Sequence, residues 1–218
     1  YKSWLEEYEN QIIPGLGDEG RPATLYGQEK LAAQKVLEKK ALNVLLSDRI
    51  SLSRSLPDIR DPTCANVTYD YNLPTASVVI IFFNEPLSVL LRTVWSVINN
   101  TPIHLLKEII LVDDASDDED LHGKLDYYML MRLTGMKIKL IRLKERQGLI
   151  RARLAGARTA DGDVLVFLDA HCEVITEWLE PMLQRIKEKR TAVVMPIIDN
   201  ISEETLEYYH DNEPSFFQ

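Results

Sequence analysis

Five short runs rich in valine and isoleucine, separated by segments of helical length, are the feature that most constrains this chain. The runs occupy residues 77–83, 108–112, 137–142, 164–168 and 192–197. The segments of helical length occupy residues 87–98, 121–133, 148–159 and 177–188. Apolar strands that alternate with helices form β-α-β units, in which helices cover both faces of a parallel sheet. The pattern therefore predicts an α/β fold with a doubly wound parallel sheet.

The N-terminal third of the chain lacks this alternation. A proline and two glycines within residues 14–17 indicate a loop, and the near-helical spacing of apolar residues predicts one helix over 29–46. Residues 51–74 contain prolines and show no lasting period. We therefore expect an irregular N-terminal arm over residues 1–74. It should pack on the α/β domain, residues 75–218, without a core of its own.

Charge and hydropathy exclude two kinds of partner. The chain has 25 Lys and Arg against 34 Asp and Glu, a formal net charge of −9, whereas a nucleic-acid backbone requires a basic surface. The longest apolar run, residues 76–83, is far shorter than the roughly 20 residues that cross a bilayer. We therefore expect no nucleic-acid partner and no membrane span. Since the chain starts at Tyr1, we expect any membrane anchor to lie upstream.

Two common nucleotide-binding motifs are missing at the place where such sheets bind ligands, outside the carboxyl ends of the strands. The first run leads into Asn84-Glu85-Pro86 and not into a G-x-G-x-x-G loop, and the chain has no G-x-x-x-x-G-K-[ST] sequence. NAD-type dehydrogenases and P-loop NTPases need those glycines because the backbone must approach phosphate groups. The sequence excludes both classes.

Two acidic residues, Asp113 and Asp114, follow the second run. A carboxylate at this position can accept hydrogen bonds from a ribose hydroxyl or a base N–H. The alternative is structural, because Asp and Ser also cap helices and carry solvated turns. Both interpretations stay open at this point.

Asp169-Ala170-His171 follows the fourth run. Side chains two residues apart on an extended segment point the same way, so Asp169 and His171 are predicted to converge on one ion. An oxygen ligand together with an imidazole suits a divalent metal such as Mn²⁺. The alternative is a buried histidine that is hydrogen-bonded to the aspartate for structure alone.

A cationic segment precedes the fourth run. Its residues are Arg142, Lys144 and Arg146, followed by a helix that Gly148 opens and that carries Arg151, Arg153 and Arg158. A helix N-terminus flanked by arginines is suited to a diphosphate, and the alternative is a solvated basic face. Because the acidic pair, the metal-ligand pair and this segment reach the same edge of the sheet, we favour a nucleotide-diphosphate pocket.

Several longer motifs point together to one family. They are PGLG at 14–17, SDRISLSRSLPDIR at 47–60, EIILVDD at 108–114, GLIRAR at 148–153, FLDAHCE at 167–173, WLEP at 178–181 and PIID at 196–199. With these motifs, in this order over nearly its whole length, the chain resembles the UDP-GalNAc:polypeptide N-acetylgalactosaminyltransferases. That family initiates mucin-type O-glycosylation by transferring GalNAc to Ser or Thr of proteins.

The resemblance implies a GT-A fold, a Rossmann-like nucleotide-sugar domain that binds UDP-GalNAc with Mn²⁺ as cofactor. By this likeness Asp169 and His171 bind the metal, Asp114 contacts the uridine and Arg146 meets the donor. Ala170 would lie against the donor sugar and the ribose through its backbone. The implied transfer to protein acceptors retains the anomeric configuration, and since the acceptor hydroxyl attacks, no catalytic nucleophile is assigned.

Four positions depart from the residues that are usual in that family. Ala170 stands where serine is usual, and Gln147 stands where glutamate is usual. At the end of the first strand, Ile81 and Phe83 stand where smaller or more polar residues are usual. Each change makes the pocket more apolar, which predicts an altered affinity for the donor.

The chain ends at Gln218, before a Gly-Gly-Phe and Trp-rich stretch that the family places next. The resemblance therefore implies an acceptor half, a further histidine ligand and a lectin domain beyond it, together with a disulfide partner for Cys64. Two alternatives follow. One is a weak or inactive truncated relative that binds UDP or a partner without transfer, and the other is a transferase that uses another donor.

The resemblance also implies a type II membrane protein whose catalytic part lies in the Golgi lumen. Sequons at Asn66, Asn99 and Asn200 fit a secretory compartment, and Asn66 lies in a polar stretch that would accommodate a glycan. Within the chain itself, Cys64 and Cys172 are predicted to be free thiols.

Overall fold

The structure is a computed structural model that describes residues 1–210. Its α-helices are α1 (Lys2–Asn10), α2 (Gly27–Lys40), α3 (Val44–Arg49), α4 (Leu87–Asn100), α5 (Gly123–Arg132), α6 (Leu149–Ala157) and α7 (Glu180–Glu188). Its strands are β1 (Ala76–Phe82), β2 (Leu106–Asp113), β3 (Ile138–Arg142), β4 (Val164–Asp169), β5 (Asn200–Ile201) and β6 (Tyr208–Tyr209).

Strands β1 to β4 form one parallel sheet in the order β3-β2-β1-β4, whereas β5 and β6 form a separate antiparallel pair. Ile81 of β1 lies beside Val112 of β2 and beside Asp169 of β4, so the carboxyl ends of these three strands are level. The first four predicted strands are confirmed, with ends displaced by one or two residues. This sheet sets the edge at which a ligand would bind.

Helices cover both faces of the sheet. Helices α4 and α5 pack on one face, where Ile80 of β1 and Leu90 of α4 are fully buried. Helix α6 covers the opposite face through contacts such as that of Ala152 with Val79. Gly156 permits this close approach, because a Cβ at that position would lie 2.4 Å from Cγ1 of Val79. The predicted doubly wound arrangement is confirmed.

The fifth predicted strand, residues 192–197, is wrong. This segment forms neither helix nor strand, and Val193 and Ile197 are 99% and 83% exposed. An apolar run becomes a strand only where a neighbouring strand pairs with it, and in residues 1–210 β4 pairs with β1 alone. Pro196 also removes one of the backbone donors that a sheet would use.

The N-terminal arm contains more helix than the sequence indicates. The single helix predicted over 29–46 is two helices, because Ala41 adopts a left-handed conformation with φ 53° and ends α2. Asn43 then begins α3, and its Oδ1 accepts a hydrogen bond from the amide of Leu46 at 3.1 Å. Helix α1 was not predicted, and its Leu5 packs into the main core.

The division of the chain between residues 74 and 75 stays a prediction, and residues 211–218 of the predicted second domain lie outside the described residues. Leu46 and Ile50 of the arm share a small apolar cluster with Leu206, so the arm also packs on the segment that contains β5 and β6. Within residues 1–210 no helix combines the length and the apolar character needed to cross a membrane.

Candidate donor and metal site

Asp169 and His171 lie where β4 ends, at the carboxyl edge of the sheet. Their side chains are 58% and 62% exposed, so neither is a buried structural residue. The alternative prediction, a buried histidine that is hydrogen-bonded to the aspartate for structure alone, is therefore wrong because His171 is exposed. A carboxylate and an imidazole that both face solvent are a donor set suited to Mn²⁺, and the residues present fit that ion. Metal binding itself stays a prediction.

Glu85, which follows β1, was not singled out from the sequence and lies next to the metal-ligand pair. Its Oε2 lies 3.5 Å from Nδ1 of His171, and this hydrogen bond raises the pKa of the histidine above its ordinary value. The sequence does contain a signal for Glu85, since an acidic residue directly after the first strand, in the segment Asn84-Glu85-Pro86, lies at the edge where ligands bind. The contact orients the imidazole from the side opposite to any ligand on Nε2.

Two arginines stack on aromatic rings at this edge. The guanidinium carbon of Arg146 lies 3.8 Å from the ring centroid of Phe83, and that of Arg153 lies 5.7 Å from the centroid of Phe167. Nη2 of Arg153 is also 4.0 Å from Oδ1 of Asp169. Stacking on an aromatic face holds a guanidinium in place while its N–H groups stay available to an anion. Nε of Arg153 is buried and lacks a hydrogen-bond partner among residues 1–210, so an anion would reach this arginine through its terminal N–H groups and not through Nε.

Asp114 directly follows β2, and its carboxylate is buried. Oδ1 accepts a hydrogen bond from the amide of Gln147 at 2.7 Å, and Oδ2 accepts one from the amide of Gly148 at 2.9 Å. These amides lie at the N-terminus of α6, where a negative charge is favoured. Asp114 thus engages two donors that the sequence offers to a diphosphate, and it fixes the loop that carries Arg146. Its contact with uridine stays a prediction.

Asp113 has the structural role that was left open. Its Oδ1 accepts a hydrogen bond from the amide of Ser116 at 2.8 Å, and its Oδ2 accepts one from Nη1 of Arg142 at 2.6 Å. The Ser116 hydroxyl oxygen accepts a hydrogen bond from the amide of Asn84 at 2.9 Å. The turn after β2 is therefore tied to the ends of β1 and β3.

The structure pairs Arg142 of the cationic segment with Asp113 and divides the other arginines into two groups. Arg151 and Arg158 share one side, as their spacing predicts, and line an open cleft of about 710 Å³ beside α6. Arg146 and Arg153 instead contact residues at the end of β1 and on β4. Within this second group Arg153 lies 4.0 Å from Asp169, whereas neither metal ligand lines the cleft, so we assign the cleft no part in donor binding.

Ala170 and Cys172 alternate with the metal-ligand pair and face the protein interior. Ala170 is buried, and its carbonyl oxygen accepts a hydrogen bond from the Thr93 hydroxyl at 2.8 Å. Burial raises the pKa of the Cys172 thiol to about 11, so the thiol is inert at neutral pH. Both cysteines are free within residues 1–210, and the backbone contact of Ala170 with a donor stays a prediction.

A family model described as "Glycosyl transferase family 2" matches residues 77–218, about two thirds of the chain. The chain belongs to glycosyl transferase family 2. In this family 2 chain the matched region contains all of the parallel sheet except its first residue, together with the metal-ligand pair and the cationic segment.

Individual relatives show which members of the family this chain is similar to. "Polypeptide N-acetylgalactosaminyltransferase 3" of Drosophila melanogaster is 49% identical over 198 residues, which are 91% of this chain and 29% of that protein. "Inactive polypeptide N-acetylgalactosaminyltransferase-like protein 5" of Mus musculus is 52% identical over 172 residues, which are 79% and 39% of the two chains. The crystal structure of GalNAc-T7 with UDP, GalNAc and Mn²⁺ matches with a TM-score of 0.85 at 42% identity, over 92% of this chain and 37% of that chain.

These likenesses confirm the resemblance to polypeptide N-acetylgalactosaminyltransferases and the GT-A fold that it implied. The family 2 chain spans 29% to 39% of the length of these relatives.

Proposed function

We propose that this chain binds UDP-GalNAc together with Mn²⁺ and acts in the transfer of GalNAc to Ser or Thr of proteins, with retention of configuration. The observation that carries the proposal is the exposed Asp169 and His171 pair at the end of β4, with Arg153 beside Asp169 and Arg146 stacked on Phe83 at the end of β1. The proposal is also supported by the likeness to GalNAc-T7, whose matching crystal structure contains UDP, GalNAc and Mn²⁺.

Asp169 and His171 would hold the metal through a carboxylate oxygen and an imidazole nitrogen. Among residues 1–210 no three His, Cys, Asp or Glu side chains group closely enough to hold a metal by themselves. A hard divalent ion takes about six ligands, so oxygen atoms of the donor and water must complete the set. The proposal therefore requires that UDP and Mn²⁺ bind together.

The protein's own contribution is to hold charge in place. Bound Mn²⁺ supplies a Lewis acid for the diphosphate that leaves. Arg146 and Arg153, stacked on Phe83 and Phe167, present fixed cations where negative charge develops on that leaving group. Asp114 fixes the loop of Arg146 through the amides of residues 147 and 148, so that this guanidinium needs no reorganisation when the donor arrives.

The cellular location follows from the same proposal. We place the catalytic part in the Golgi lumen of a type II membrane protein, with an anchor upstream of Tyr1. Asn66 is exposed at the end of a 3₁₀ turn, whereas Asn99 lies within α4 and Asn200 lies within β5. Secretory expression should therefore add a glycan at Asn66, visible as a mobility shift that glycosidase removes. The shift should be missing in Asn66→Gln, and an unglycosylated wild-type chain would remove the support that this sequon gives to the secretory placement.

The test of the activity has two stages. Calorimetric titration of the chain with UDP, with and without Mn²⁺, should show binding only when both are present. For transfer, the protein is tested at the length of its relatives, of which this chain spans 29% to 39%. Incubation with UDP-GalNAc, Mn²⁺ and a Ser/Thr-rich peptide, followed by mass spectrometry, should then show addition of one N-acetylhexosamine, whereas residues 1–218 alone should transfer negligibly.

A panel of UDP-sugars serves as the control for donor identity. Preference for another UDP-sugar would replace GalNAc as the donor but keep the nucleotide site. UDP binding without dependence on Mn²⁺ would contradict the metal assignment. Binding without any transfer by the protein at the length of its relatives would make it a donor-binding relative and not a catalyst.

A further inference from the structure

Arg54, in the N-terminal arm, is buried against the segment that carries the metal-ligand pair. We propose that Arg54 is a positioning residue: it fixes residues 169–174, the D-x-H segment, so that Asp169 and His171 hold their ligand geometry. This inference rests on the proposed function, in that the pair is taken to bind Mn²⁺ with UDP.

The contact between Arg54 and the D-x-H segment is bidentate. Nε of Arg54 donates to Oε2 of Glu173 at 2.8 Å, and Nη2 donates to Oε1 at 2.7 Å. The two side chains are 0% and 8% exposed, so the pair is shielded from water. Glu173 stands two residues after His171, hence the fork of Arg54 constrains the backbone that directly follows the second metal ligand.

The third guanidinium nitrogen anchors Arg54 itself. Its Nη1 donates to the carbonyl of Leu206 at 2.7 Å and to that of Gly17 at 3.4 Å. Gly17 has φ 71°, and a Cβ there would lie 3.3 Å from the same Nη1. The arm, the C-terminal hairpin and the D-x-H segment therefore meet on one side chain.

Helix α4 holds the same segment through three further hydrogen bonds. The Thr93 hydroxyl donates to the carbonyl of Ala170, the Ser96 hydroxyl accepts from the amide of Val174 at 3.1 Å, and Asn100 donates to the carbonyl of Val174 at 2.9 Å. The segment is thus held by both α4 and Arg54, while only Asp169 and His171 face solvent on either side of Ala170. This leaves the two ligands exposed on a backbone that is held rigidly.

A buried ion pair is a costly way to stabilise a fold, because apolar residues of similar volume often do as well. Its advantage is that it fixes orientation, since a planar guanidinium makes two hydrogen bonds to a carboxylate in only one relative orientation. An arm whose sole task was to cover the core would not need this pair. The position of Glu173 beside the metal ligand accounts for it.

Arg92 provides a matched control. It is buried close by on α4, and it donates to the carbonyls of Ser47 at 2.7 Å and Ser51 at 3.3 Å, both in the arm. Arg54→Lys and Arg92→Lys each keep a cation but lose the fork, so both should lower the melting temperature of the full chain. Only Arg54→Lys should also raise the Kd of UDP measured with Mn²⁺, by roughly tenfold, as for residues behind a metal ligand.

Hydrogen exchange without nucleotide and metal gives a second readout. Amides of residues 170–174 should exchange faster in Arg54→Lys than in Arg92→Lys. Equal Kd values and equal exchange in the two variants would overturn the positioning role. If Arg54→Lys does not fold, Glu173→Gln keeps the shape of the pair and should raise the Kd in the same direction, whereas an unchanged Kd would again overturn it.

Failure of the proposed function would look different. A wild-type chain without Mn²⁺-dependent binding of UDP would contradict the metal site. The exchange rates of residues 170–174 would then still decide whether Arg54 orders the segment.

Discussion

Polar side chains are hydrogen-bonded to different extents at the two ends of the parallel sheet. At the amino end, Glu108 of β2 is buried and engaged on both oxygens. Its Oε1 accepts hydrogen bonds from the Ser77 hydroxyl at 2.8 Å and the Asp161 amide at 2.7 Å, and its Oε2 pairs with Nζ of Lys139 at 2.7 Å. The acceptors and donors there satisfy one another, which links β1, β2 and β3 to the turn before β4.

At the carboxyl end of β4 the polar groups are left available, whereas Asp113 and Asp114 at the end of β2 are engaged on both oxygens. Asp169 and His171 are more than half exposed. Polar groups that satisfy each other stabilise a fold, whereas polar groups held in place without partners are ready for a ligand. The contrast predicts that substitutions at the carboxyl end change binding and that substitutions at the amino end change stability.

Loss of a metal ligand should have the largest effect. Asp169→Asn or His171→Ala should weaken Mn²⁺-dependent UDP binding by more than roughly 100-fold, since removing even a residue behind a ligand costs 10- to 100-fold. The melting temperature should change little because both side chains are exposed. His104→Ala, an exposed histidine before β2, is the control in calorimetry. Unchanged UDP affinity in both variants would refute the assignment of the pair.

Arg146→Ala should come next. A hydrogen bond to a charged group contributes about 1.5–3 kcal/mol, so UDP affinity should fall by roughly ten- to a hundredfold. Lys144→Ala, on the same exposed loop, should have a smaller effect. Equal losses of UDP affinity in the two variants would show that the donor is held by a diffuse basic patch and not by Arg146 in particular.

Glu108→Gln tests the other end of the sheet. It should lower the free energy of unfolding by about 1–3 kcal/mol, measured by urea denaturation, and leave the UDP affinity unchanged. Glu38→Gln, exposed on α2, is the control. A loss of UDP affinity without a loss of stability would contradict the contrast between the two ends.

The same residue gives a pH dependence. Burial raises the pKa of Glu108, but hydrogen bonds from Lys139, Asp161 and Ser77 outweigh it, so the pKa lies below the ordinary 4.5. The unfolded chain therefore takes up the proton first as the pH falls. The stabilisation is complete above pH 4.5 and is lost as the pH falls through the lower folded value. Glu108→Gln should show a smaller loss of stability over that acid range.

The smallest effect is expected at Phe83. Phe83→Leu removes the ring under Arg146, and a cation–π contact of about 0.5–1 kcal/mol corresponds to a two- to fivefold loss of UDP affinity. In an Arg146→Ala background the same substitution should have no further effect. Additive losses in the double variant would show that the ring acts on the donor and not through the arginine.

The sequence identifies the sheet well, because a parallel strand that is buried on both faces must be apolar throughout. β1 to β4 satisfy this locally, as does the position of Asp169 and His171 directly after β4. It fails at residues 192–197, where the composition is that of a strand but no pairing strand lies alongside within residues 1–210. A hydrophobic run indicates that a segment can be buried, but it does not show that another strand is there to pair with it.

The sequence by itself therefore determined the α/β class, the strand ends and the residue types offered there, since each depends on neighbours along the chain. Only the tertiary structure decided which offered groups are free. It directs Asp114 to the amides of residues 147 and 148, separates Arg153 from Arg151, and joins Arg54 to Glu173 across 119 positions of sequence. Such pairings depend on which surfaces come into contact when the helices pack on the sheet. A local pattern of apolar residues does not specify contacts between residues so far apart in sequence.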